Sequence, residues 1–153
     1  MSRVYVVTFS NAVTVAQDLA ALVATANMAL EVVSFGVGPD TTTVENLRLN
    51  LKRLTATLSA GSGGSAATPV PDRSSDAAAT VTARVNDTTQ MTTSGGTVFL
   101  HRTSINLVNG YEWIYHERVR PIVKPGEGLV LELATAPAAS RTLYGWLKFR
   151  ELF

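Results

Sequence analysis

Ser104-Ile105-Asn106-Leu107-Val108-Asn109-Gly110-Tyr111-Glu112-Trp113-Ile114-Tyr115 sets two runs of apolar, β-branched and aromatic residues on either side of an Asn-Gly pair. Both central positions of a type I′ turn need positive φ, which Asn and Gly tolerate best, so the stretch predicts a β-hairpin turning at Asn109-Gly110. Alternation then places Val108, Tyr111, Trp113 and Tyr115 on one face, and Ile105, Leu107 and Ile114 on the other. Both faces are apolar. One packs into a core, and the other needs cover from a loop, a helix, a second subunit or the rest of its own domain.

Working outward, strand and turn signals recur along the chain. Val4–Phe9, Leu30–Val37, Thr80–Val85, Thr97–His101, Leu129–Leu133 and Leu143–Phe149 are rich in residues that suit a pleated surface. Gly38-Pro39-Asp40 and Pro125-Gly126-Glu127-Gly128 supply turn chemistry. Val44–Leu58 fits two periods. Val44, Leu47, Leu51, Leu54 and Leu58 recur at helical spacing, while Leu47, Leu49 and Leu51 alternate with Arg48, Asn50 and Lys52. The strand is preferred, with a one-residue bulge at Lys52-Arg53 to absorb the change of phase. A single short helix is expected over residues 15–25, where Thr14 and Gln17 form a capping-box pair and Val15, Leu19, Leu22 and Val23 follow at helical spacing. Ser59–Ser65 is a Gly/Ser stretch and Thr68-Pro69-Val70-Pro71 an extended one, together predicting a long surface loop at about 59–76. Such a segment orders only when something holds it, and a neighbouring subunit is the expected holder. The chain therefore reads as one domain over residues 1–153, all-β with one short helix: a two-sheet β-sandwich of jelly-roll type.

Composition narrows the function. The chain is 46% hydrophobic but only 16% charged, against roughly 25% charged for an average soluble protein. A surface so short of charge fits a protein covered by neighbours. Thirteen basic and twelve acidic residues leave a net charge of +1, so no global field draws the chain to nucleic acid or anionic lipid. There is no cysteine, which excludes disulfides, thiolate metal sites and thiol nucleophiles. No signal peptide or membrane-spanning stretch is expected.

Constellations that carry chemistry are sparse. His101 and His116 are the two histidines; His116 adjoins Glu117, but neighbours on a strand point to opposite faces unless the backbone leaves β geometry there. Glu127 and Glu132 flank a turn without a spacing that predicts paired acids. Asp72-Arg73-Ser74-Ser75-Asp76 lacks the alternation and fixed glycine of an EF-hand loop. Gly61, Gly63 and Gly64 are followed by no Lys-Ser/Thr pair, so they predict flexibility and no phosphate cradle. Arg48, Lys52 and Arg53 cluster without interleaved aromatics and read as a solvated face. Asn86-Asp87-Thr88 matches a glycosylation tripeptide, which matters only in a secretory pathway. No catalytic residue, metal or cofactor is expected.

Taken in order, several of these pieces resemble the head decoration (cement) and related structural proteins of tailed bacteriophages. They are the Val15–Thr25 segment, Gly-Gly-x-x-x-Thr-Pro-x-Pro over Gly63–Pro71, Asn109-Gly110-Tyr111-Glu112-Trp113, Pro125-Gly126-Glu127-Gly128, and the closing Gly145-Trp146-Leu147-Lys148-Phe149-Arg150-Glu151-Leu152. The resemblance implies a jelly-roll-like domain on the outer surface of the capsid, commonly a homotrimer where major capsid protein subunits meet, with a mechanical role. Composition, rather than the resemblance, points to contact residues. Tyr111, Trp113 and Tyr115 are candidates for subunit packing. The Gly61–Pro71 loop, with Gly63, Gly64, Pro69 and Pro71, and the Met1–Arg3 terminus, with Arg3, are candidates for reaching the capsid. The alternative is a carbohydrate-binding β-sandwich of a phage tail or adhesin, using exposed Tyr and Trp rings as sugar platforms.

Overall fold

The computed structural model describes residues 2–39 and 42–152, so Asp40 of the expected Gly38-Pro39-Asp40 turn lies outside them. Strands are numbered along the chain. Sheet A takes β1 (Arg3–Val13), β3 (Ala29–Pro39), β7 (Val70–Pro71), β11 (Tyr111–Ile114), β12 (Ile122–Val123) and β14 (Arg141–Leu152). Sheet B takes β2 (Gln17–Val23), β4 (Asn46–Leu54), β6 (Ser65–Ala67), β8 (Thr82–Asp87), β10 (Thr97–Asn106) and β13 (Gly128–Leu133). A small ribbon pairs β5 (Leu58–Ser59) with β9 (Thr92–Thr93).

Sheet A runs β11-β3-β14-β1-β7, with β12 also on β3, and sheet B runs β10-β4-β13-β2-β8-β6. All these pairings are antiparallel. Alternate side chains of the two sheets meet in one core: Tyr5, Phe35 and Phe149 from sheet A face Leu22, Leu49 and Leu131 from sheet B, all fully buried. Each such side chain contributes about 1.5–3 kcal/mol relative to exposure. The chain is thus an all-β sandwich, as its alternation predicts.

The expected helix at 15–25 is instead strand β2. Its apolar residues acquire a helix-like spacing from a bulge: Ala20 opposes Leu131 and Asp18 opposes Glu132, leaving Leu19 without a partner on β13. Leu19 and Ala20 both join the main core, and Leu22 follows three residues after Leu19. The outer side of β2 is buried as well, because Ala21 packs with Leu54, Met91 and Val130 in a second cluster. Covered on both faces, the strand shows no clean alternation.

That second cluster also corrects the bulge expected at Lys52-Arg53. β4 pairs with β13 without a shift from Leu49 to Leu54. Leu47, Leu49 and Leu51 enter the main core, while Leu54 lies on the opposite face in the outer cluster, against which the ribbon residue Leu58 packs. The irregularity falls on the neighbouring strand, between Phe99 and His101 of β10.

The expected loop at 59–76 is partly strand. Its holder lies within the same chain: β6 adds to β8, β7 adds to β1, and Ser62 bridges to Thr89. Gly64 N donates to Asp87 Oδ1 at 3.0 Å. A Cβ on Gly64 would stand 2.0 Å from the Val85 carbonyl oxygen, so the closeness of this seam requires glycine.

A polar row crosses the outer face of sheet B. Register aligns Asn50 with Glu132, Glu132 with Asp18, and Asp18 with Asp87, so these side chains share a face. All four are buried. Glu132 accepts from Asn50 Nδ2 at 2.9 Å and Gln90 Nε2 at 3.1 Å, and pairs with Lys52. Asp87 takes Arg84 through both of its oxygens, at 2.7 and 2.8 Å. Asp18 accepts the Met91 N–H at 2.7 Å through Oδ2, while its Oδ1 is buried without a hydrogen-bond partner. Burial pushes the Asp18 carboxyl up to about 6; the Met91 bond and Lys52 pull against that, and Glu132 and Asp87 add to it.

Candidate functional site

The Asn109-Gly110 turn does not join two strands of one sheet. β10 pairs with β4 in sheet B and β11 pairs with β3 in sheet A. The five residues between Asn106 and Tyr111 inclusive of the former carry the chain across the sandwich edge. Asn106 organises this crossing: its carbonyl accepts from Asn109 N and Gly110 N, and its Oδ1 accepts from Val108 N at 3.0 Å. Gly110 adopts φ +67° but Asn109 does not take positive φ, so the expected type I′ turn does not form. Ile105 and Leu107 enter the core as expected, but Ile114, placed with them by the hairpin, is exposed.

The crossing brings β10 and β11 together along one flank, and the rings between them converge on Phe35. Phe35 is fully buried on β3. Its ring lies 5.4 Å from His101 in a near-perpendicular contact, 6.2 Å from Tyr111 and 6.4 Å from Tyr115. His101 Nε2 lies 2.6 Å from the Tyr111 hydroxyl, and its ring lies 4.7 Å from Trp113. Trp113 meets Tyr115 edge-on at 6.2 Å. The three aromatic residues singled out in sequence are therefore brought into one cluster, around two residues that sequence reasoning did not place there: Phe35 and His101.

Burial sets the protonation of this cluster. It lowers the His101 pKa below its ordinary value, favouring neutral imidazole. It also pushes the Tyr115 hydroxyl up to about 12, with Tyr111 adding to the effect. The Tyr115 hydroxyl is buried without a hydrogen-bond partner. The inner half of the cluster is thus neutral and packed, whereas its rim is open. Trp113 is 42% exposed and Ile114 64% exposed. Val119 and Ile122, farther along the β3 edge, are exposed too. On β10, exposed Phe99 lies under the Arg102 guanidinium, 4.2 Å from its ring centre. Exposed apolar side chains therefore recur along the flank where both sheets end, interleaved with exposed Glu112, Glu117 and Arg118.

The candidates for reaching a capsid fall on the opposite flank. Arg3 begins β1, and Pro71 on β7 opposes Tyr5. Gly63, exposed at φ +93°, and Gly64 sit beside β8 at the other sheet's edge. Pro69 is buried, so its ring faces its own domain. Met1 lies outside the described residues. Ser2, Arg3, Asp72, Arg73, Asp76 and Arg150 line a charged depression of about 290 Å³ there.

Glu117 leaves β geometry in a 3-10 turn over Glu117–Val119, which His116 caps with extended backbone, its Nδ1 accepting from Arg118 N at 3.4 Å. Both are exposed. Among the described residues no group of three or more His, Asp or Glu side chains is arranged to hold a metal ion, and no helix is long and apolar enough to cross a membrane. Comparison of the chain with the profiles of known protein families, with curated protein sequences and with solved structures finds no match.

Proposed function

We propose that this chain is a virion structural protein, which decorates the outer surface of a bacteriophage capsid and bridges major capsid protein subunits as a homotrimer, without catalysing a reaction. The observation that carries this reading is the set of exposed apolar side chains along the β3 edge of sheet A, Trp113, Ile114, Val119 and Ile122, in a chain that is only 16% charged. Exposed aromatic and aliphatic side chains around a packed aromatic base match the composition of interface cores. The flank bearing Arg3, Gly63 and Pro71 lies across the sandwich from it. One flank is thereby left for copies of the chain and the other for the shell. Several modest contacts made at once would hold the shell firmly.

The test is mass in solution by multi-angle light scattering, followed by pelleting with undecorated capsids. The expected result is a trimer that co-pellets at a fixed ratio to the major capsid protein. A monomer that stays in the supernatant refutes the proposal. Trp113→Ala is expected to weaken self-association by about 2 kcal/mol, and an unchanged oligomer mass at limiting concentration would remove Trp113 from the interface.

A further inference from the structure

The outer face of sheet A carries a second set of rings, separate from the Phe35 cluster. Tyr144 and Trp146 stand two residues apart on β14, so both point away from the core, about 7 Å from one another along the strand. Across the sheet, Trp146 opposes Gly36 on β3 and Thr8 on β1, while Tyr144 opposes Gly38 and Ser10. Each ring therefore sits between a glycine and a hydroxyl residue.

Gly36 determines how the Trp146 ring lies. A Cβ built on Gly36 would fall 2.2 Å from Trp146 Cη2, and 2.5 and 2.6 Å from its two ring neighbours Cζ2 and Cζ3. Three such similar distances put that point on the normal of the ring, above Cη2. A point in the ring plane would be much farther from the two neighbours. The indole consequently lies flat over Gly36 with one face on the backbone and the other turned outward. A Cβ on Gly38 would meet nothing closer than the Tyr144 carbonyl oxygen at 3.9 Å. Gly38 thus leaves open space that neither steric contact nor positive φ demands. That space belongs to two depressions of about 480 and 390 Å³, which share Gly38 and Trp146.

We propose that this trough binds a neutral oligosaccharide, with sugar rings stacked on Trp146 and Tyr144. The C–H groups of a pyranose form an apolar face that complements the electron-rich face of an aromatic ring, and its hydroxyls project from the rim. The trough presents the matching pattern. The flat Trp146 indole and Tyr144 form the floor, Thr8 and Ser10 border one side, and Asn109 and Glu112 border the other. No lysine or arginine lines either depression, which argues against phosphate or sulfate groups on the ligand. A peptide strand cannot add here, because β14 is already paired with both β3 and β1. The combined size falls within the range of small-ligand sites. The trough borders the Trp113 flank at Tyr111 and Glu112, but sugar binding is read by emission and self-association by mass, so the two proposals are tested separately.

The experiment uses the full chain carrying Trp113→Phe, which leaves Trp146 as its single tryptophan. Trp146 emission is titrated with cello-, manno- and malto-oligosaccharides. A saturable change with at least one of the three is expected. Tyr144 is 46% exposed, so Tyr144→Ala leaves the fold intact, and it should weaken binding about tenfold, the loss of one stacking contact. A Cβ at Gly38 meets no side chain, so Gly38→Val adds bulk to the trough beside Tyr144 and should abolish binding at an unchanged thermal midpoint. The proposal is overturned if none of the three sugars changes the emission, or if Gly38→Val binds as tightly as the parent.

Discussion

Replacing Asp18 by Asn should remove part of the pH dependence of stability. In the unfolded chain this carboxyl titrates near 3.8, and in the fold it is pushed up to about 6. The native state therefore holds a proton that the unfolded state releases, and stability falls as pH rises between those two values. About two pKa units at about 1.4 kcal/mol each give roughly 3 kcal/mol between pH 4 and pH 7. The charges explain the sign. With Asp18 protonated, Glu132 and Asp87 are balanced by Lys52 and Arg84; ionising Asp18 adds a buried negative charge with no partner of its own. Asparagine keeps an oxygen for the Met91 N–H and cannot ionise. Urea denaturation of both proteins at pH 4, 5.5 and 7.5 reads the difference, in which the other titrating groups largely cancel. The stability of Asp18→Asn relative to the parent should climb by up to about 3 kcal/mol from pH 4 to pH 7.5. A constant offset changes nothing in this argument, because only the slope tests it. A difference that stays flat with pH would show that Asp18 is not a buried acid of raised pKa.

Gly36→Ala should lift the Trp146 indole from the sheet, costing about 1–3 kcal/mol by the usual scale of overpacking and altering Trp146 emission in the Trp113→Phe background. Glu151 is fully buried and accepts from Thr80 N at 2.7 Å, Thr80 Oγ1 at 2.9 Å and Val81 N at 3.3 Å. Glu151→Ala should therefore cost about 2–4 kcal/mol in denaturant titrations, and a loss below 1 kcal/mol would show that water replaces those bonds. The His101 ring should titrate by NMR with a midpoint below 6.5, since burial opposes its charged form; a midpoint above 6.5 would mean that the imidazole is solvated.

The long strands were legible because their alternation survives in the sequence. Val4–Phe9 marks β1, and Leu129–Leu133 marks β13. Legibility failed where tertiary contacts change the period. Leu19 sits at a bulge and mimics a helical step, and Leu54 leaves the Leu47-Leu49-Leu51 series because a separate ribbon supplies it with an apolar partner. Thr97–His101 and Ser104–Val108, expected as two strands, are largely one, since only the irregularity between Phe99 and His101 interrupts pairing with β4. The Asn-Gly signal located a turn correctly but did not reveal that its two arms belong to different sheets, because local turn chemistry carries no information on strand partners. The same limit governs the flank. Tyr111, Trp113 and Tyr115 were visible as an aromatic group, whereas Phe35 and His101 join them only through pairings of β3 with β11 and of β10 with β4. Gly36 and Trp146 lie 110 positions apart, and nothing in either neighbourhood marks them as a pair.

Sheet A has its centre in residues 141–152, which are made after both of the strands they pair with. β14 lies between β3 and β1, and residues 141–152 supply the backbone partners of both. Until those residues emerge from the ribosome, β1 and β3 each present an unpaired edge, and Tyr5 and Phe35 have no Phe149 or Leu147 strand between them. Sheet B depends in the same way on β13, which lies between β4 and β2, but that strand is complete by Leu133, before β14 begins at Arg141. Assembly during synthesis would then proceed from a formed sheet B to a late closure of sheet A. Long-range antiparallel closure of this kind is slow and leaves exposed edges open to other chains. A nascent or truncated chain ending before Arg141 is consequently the aggregation-prone species of this protein, and pairing of β14 is the step that closes the sandwich.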